Sequence, residues 1–68
     1  MLSRRQAIGS RIRAARERAN LSQLRLANLV GVDHKTIHRI EYGISDPSLG
    51  LLLQIAQALD VPLGDLVQ

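Results

Sequence analysis

Apolar residues recur along this chain at intervals of three and four, and no stretch alternates as a strand would. In the first segment Ile8, Ile12, Ala15 and Ala19 form one stripe, flanked by Arg11, Arg13, Arg16 and Arg18. Asn20 ends that helix, because asparagine tolerates the left-handed conformation of a helix stop. Ser22 is a good N-cap for a second helix over about 23–30, closed by Gly31. Asp33 caps a third helix over about 34–42, which stops at Gly43. Asp46-Pro47-Ser48 turns the chain into a fourth helix over about 49–59. On it Leu49, Leu52, Ile55, Ala56 and Leu59 share one face, before Val61-Pro62 breaks it. A last short turn carries Leu63, Leu66 and Val67. The expectation is an all-α single domain over residues 1–68, with five short helices and no repeat or linker.

Helices two and three are joined only by Gly31, Val32 and Asp33. So short a link forces a sharp angle between them, which is the helix-turn-helix arrangement, here over about 22–42. Each position has a physical task. Ala27 must be small where the helices cross, and Gly31 supplies a left-handed residue. Val32 plugs the gap, while Leu26, Val30, Ile37 and Ile40 face the core. That leaves His34, Lys35, His38 and Arg39 on the outer face of helix three.

Composition narrows the field. With 68 residues, no Cys, no Phe and no Trp, the chain has no disulfide and little means of stacking on unpaired bases. Its 46% hydrophobic content is enough for a small core. The longest apolar run is Leu51-Leu52-Leu53, too short to span a membrane, and Met1 to Arg5 do not read as a secretion signal. A cytoplasmic location is expected. Charge is sharply divided. Residues 1–39 hold all nine Lys and Arg against Glu17 and Asp33, a net of +7. Residues 40–68 hold four acids and no base, a net of −4. One face therefore suits a polyanion, and the other turns away from it.

The ordered run Leu21-Ser22-Gln23, Leu26-Ala27, Val30-Gly31-Val32, Thr36-Ile37, Arg39-Ile40-Glu41 and Gly43 resembles the Cro/phage-repressor, or XRE, helix-turn-helix family. The likeness continues through Pro47-Ser48-Leu49, Leu52, Ile55-Ala56, Leu59 and Val61 to Leu66, covering about residues 7–67. It departs at Gly50 and Leu51, where the family more often has polar helix formers, and at Gly64, which replaces a frequent acid. The resemblance implies a lambda-repressor-like DNA-binding domain and a bacterial or phage regulator that binds operator DNA as a homodimer. Helix three would lie in the major groove. By position, His34, Lys35, Thr36 and Arg39 are the expected base-facing residues. Ser22, Gln23, Arg25, His38, Tyr42 and Arg11 are expected to touch phosphate or brace the reading helix. Arg16 and Glu41 match an ion pair that ties helix one to helix three in some members. Leu63, Leu66 and Val67 are the expected dimer contact.

Other chemistries fit less well. His34 and His38 have the spacing of a two-histidine zinc site, but Lys35 fills the place of the catalytic glutamate and no third ligand is near. Ser22 lacks a neighbouring base and has a cap to make. No metal, cofactor or enzymatic activity is expected. The competing reading is a helix-turn-helix used as a protein-interaction module, antitoxin-like or coactivator-like, favoured by the outward projection expected of Leu24, Leu29 and Leu51.

Overall fold

The computed structural model describes residues 3–68. Met1 and Leu2, where the segment judged unlike a secretion signal begins, lie outside the described residues. The first helix, α1 (Arg4–Arg18), opens on a reciprocal cap. The Gln6 amide N–H donates to Ser3 Oγ at 3.2 Å, and the Ser3 N–H donates back to Gln6 Oε1 at 3.0 Å. Such a box satisfies two amides that the helix cannot reach. The Ser-x-x-Gln spacing carries that signal in the sequence, ahead of the apolar stripe that starts at Ile8.

The next elements are α2 (Gln23–Val30), α3 (His34–Glu41), α4 (Leu49–Leu59) and α5 (Gly64–Val67). Ser22 and Ser48 cap α2 and α4 by accepting from the amides of Arg25 and Leu51. Gly31 and Gly43 both adopt φ +72°, a conformation a side chain resists, and they close α2 and α3. Asn20 takes φ +59° and turns the chain after α1, while Asp60, at φ +56°, stops α4 one residue before Val61-Pro62. Among the described residues the fold is all α-helical, with no strand.

The five largest fully buried side chains come one from each helix: Ile12, Leu26, Ile37, Ile55 and Leu66. Each such burial is worth roughly 1.5–3 kcal/mol, so even the four-residue α5 is anchored by its own wedge. This corrects the expected dimer contact. Leu66 is 1% exposed and committed to the monomer's core, and Leu63 packs half-buried against the same core. Only Val67 of the three stays exposed.

Three other expectations change. Ala19 lies past the end of α1 and is exposed, so the stripe closes on Arg16 instead. Leu49 shares the angular position of Ala56, yet it is 64% exposed while Ala56 is buried. Leu51, expected to project outward, packs half-buried against the core beside Ile55 and Ala58. Leu24 and Leu29 do project outward. No helix among the described residues is long and apolar enough to cross a membrane.

Candidate nucleic-acid interface

The turn between α2 and α3 sets the geometry of the outer face. After Gly31, the Val32 amide donates to the Ala27 carbonyl at 3.0 Å, and Asp33 starts α3 at once. Ala27 is fully buried at the crossing, where a larger side chain would push the helices apart. Locked in this way, α3 buries Ile37, Ile40 and Glu41. His34, Lys35, His38 and Arg39 are exposed on its other side, and Thr36 is half-buried on a flank. The helical period therefore gathers four basic or titratable side chains on one surface. The only acid of α3, Glu41, is removed from it.

Glu41 is 5% exposed, yet fully satisfied. Arg16 Nε donates to its Oε2 at 2.6 Å and Arg16 Nη2 to its Oε1 at 3.0 Å, a two-pronged pair between α1 and α3. Arg16 Nη1 donates to the Leu21 carbonyl at 2.7 Å, which fixes the link before α2. Gln23 Nε2 donates to Glu41 Oε1 at 3.0 Å. A single carboxylate thus joins α1, α2 and α3. No buried polar side-chain atom among the described residues is left without a partner, the condition under which such a network rigidifies a fold. The hydrogen bond to Glu41 raises the Arg16 pKa, against the opposing effect of burial, so this arginine stays charged.

Most of the expected contact residues are exposed on or beside α2 and α3. Ser22 and Arg25 are exposed at the start of α2, with Ser22 Oγ already accepting the Arg25 amide. Gln23 is half-buried and donates through Nε2 to Glu41 of α3. Tyr42, the C-cap of α3, is exposed, with its ring 4.6 Å from that of His38.

Arg11 requires a correction. The side of α1 that meets α3 is marked by Gly9, Arg13 and Arg16. A Cβ on Gly9 would stand 2.3 Å from the Ile40 carbonyl oxygen, and the Arg13 Cζ lies 5.6 Å from the centre of the Tyr42 ring. Two residues apart on a helix point to nearly opposite sides, so Arg11 faces away from α3. The arginine of α1 beside the outer face is Arg13. Net charge could not tell these two apart. Gly9, placed where the stripe meets α3, was the available signal. No cluster of three metal-ligating side chains exists among the described residues.

Together these features define a helix-turn-helix domain of the lambda-repressor type, with a cationic outer helix. The family model described as helix-turn-helix matches residues 12–66, and the chain belongs to that family, in its XRE-type branch of transcriptional regulators. It is similar to an uncharacterized HTH-type transcriptional regulator of Sinorhizobium fredii, 39% identical over 56 residues. That match covers 82% of this chain and 29% of the relative. An uncharacterized HTH-type regulator of Mycobacterium tuberculosis is 44% identical over 53 residues, covering 78% of this chain and 38% of its own. The chain thus spans about a third of the length of these relatives. Among solved structures, the restriction-modification controller protein C.AhdI of Aeromonas hydrophila superposes with a TM-score of 0.86 at 36% identity. That superposition covers 90% of this chain and 92% of the controller. The clp gene regulator ClgR of Corynebacterium glutamicum gives a TM-score of 0.93 at 24% identity, covering 97% of this chain and 85% of its own, a likeness of fold alone.

Proposed function

We propose that residues 1–68 form a sequence-specific, duplex-DNA-binding unit of a transcriptional regulator, acting in the cytoplasm at the nucleoid. The observation that carries this reading is the outer face of α3, where His34, Lys35, His38 and Arg39 are exposed while Glu41 is turned inward onto Arg16. A helix with its side chains is about 10–12 Å across and the major groove is about 12 Å wide, so α3 fits along the groove. Arg39 and Lys35, one turn apart, then reach base edges. Arg39 forks onto guanine O6 and N7, and Lys35 acts as a point charge. Ser22, Gln23 and Arg25 at the start of α2 meet phosphate, where exposed amides carry partial positive charge.

Two copies bind a near-palindromic site, with their α3 helices about 34 Å apart, one turn of DNA. With Leu66 committed to the core, Val67 and the edge of Leu63 are what the chain end offers to a second copy. The similarity to C.AhdI over nearly the whole of that regulator supports reading a domain of this size as a functional unit. A gel shift with random duplex DNA across a salt series tests the proposal. Binding that weakens steeply with salt is expected. Absence of salt-dependent binding would favour a protein-interaction module using the exposed Leu24 and Leu29.

A further inference from the structure

Of the α1 arginines, Arg11 was the one singled out as an expected contact, yet it is Arg13 that lies against α3. Its Cζ lies 5.6 Å from the centre of the Tyr42 ring, within range of a cation–π attraction, and Tyr42 in turn lies against His38. The two rings are 4.6 Å apart, tilted by 35°. The result is a ladder from α1 to the exposed flank of α3. It can form because Gly9, one turn before Arg13, lets α1 press against the carbonyls of Ile40 and Glu41.

We propose that Arg13 is a DNA-phosphate contact supplied by α1, and that Tyr42, backed by His38, positions its guanidinium. This rests on the reading of α3 as the major-groove helix. If α3 fills the groove, whatever stands immediately beside it faces the groove wall, and that wall is sugar and phosphate. His38 and Tyr42 line the flank of α3 on the α1 side, so Arg13 stands at that wall. A cation–π contact with an aromatic ring holds an arginine while leaving its N–H groups able to donate. Among the described residues the acid paired with it is Glu17, with Arg13 Nε 3.8 Å from Glu17 Oε2. That separation is longer than a hydrogen bond, and both side chains are about half exposed, so a phosphate can readily replace it. Glu41, next to Tyr42 in sequence, is occupied by Arg16 and does not compete.

The test compares Arg13→Gln with Arg18→Gln, an exposed arginine of α1 on the side away from α3. Both remove one positive charge, so only position distinguishes them. Dissociation constants are measured across a salt series on random duplex DNA and on a site selected from a random library. Melting curves of both variants establish that they are folded. Arg13→Gln should lower the slope of log affinity against log salt by about one, with equal-fold losses on both DNAs. Arg18→Gln should leave the slope unchanged. Tyr42→Phe keeps the ring and should keep the slope, whereas Tyr42→Ala should lower it in the parent but not in the Arg13→Gln background. Equal slopes for Arg13→Gln and Arg18→Gln would overturn the proposal, as would a loss confined to the selected site, which would mean base contact. A parent protein with no salt-dependent affinity for random duplex would overturn the underlying reading itself.

Discussion

The two sides of α3 obey different rules. On the side facing α1, backbone meets backbone at Gly9, and the single carboxylate of Glu41 is shared by Arg16 and Gln23. On the opposite side, Lys35 and Arg39 are exposed, with no side-chain hydrogen bond or ion pair among the described residues. Packing dictates the residues of the inner side, because a wrong choice there costs stability. Packing does not dictate the outer side. Substitutions on the inner side should therefore be read in melting curves, and those on the outer side in binding.

The largest effect is expected at Gly9. Ala there places a carbon 2.3 Å from the Ile40 carbonyl oxygen, and backbone must move. A loss of about 3 kcal/mol is expected, at the upper end for overpacking. Gly50 is the control, since its added Cβ would meet only Ser48 Oγ at 3.9 Å. Gly50→Ala should stabilise by about 0.5–1 kcal/mol, the helix preference of Ala over Gly. Thermal melts of the two variants should shift in opposite directions. Shifts of the same sign would remove the close approach from the account.

Arg16→Ala comes next. It leaves Glu41 buried without its main partner and frees the Leu21 carbonyl, at a cost of about 3 kcal/mol. Replacing both partners with apolar residues, Arg16→Met with Glu41→Leu, should recover most of that loss. An Arg16→Ala protein that melts like its parent would show that the shared carboxylate contributes nothing. On the outer side, Lys35→Ala should change stability by less than about 0.5 kcal/mol, as for ordinary surface positions. It should instead weaken DNA binding.

Much of this was legible in the sequence, for a physical reason. Ser22, Gly31 and Asp33 punctuate the chain with residues whose backbone and capping preferences are strong, so α2, the turn and the start of α3 fall where those residues put them. Asn20 and Ser48 act likewise at the end of α1 and the start of α4. What periodicity could not supply is how far a neighbour extends. It assigns Leu49 and Ala56 to one side of α4, yet only Ala56 is covered. It offered Leu66 as spare apolar surface, when α5 needs that side chain to stay attached. The choice between Arg11 and Arg13 depends on which flank of a stripe faces the next helix, a tertiary fact that charge counting does not contain.

The central claim is that the outer face of α3 reads sequence while the start of α2 holds the backbone. The direct measurement is the affinity of the parent, Arg39→Ala and Gln23→Ala, on a site selected from random DNA and on unselected duplex, at one fixed salt concentration. Arg39→Ala should lose roughly 1–3 kcal/mol on the selected site, lose much less on unselected DNA, and relax the preference at one base position. Gln23→Ala should weaken both DNAs by similar factors. Equal losses on the two DNAs for both variants would contradict the claim, because α3 would then be gripping DNA without reading it.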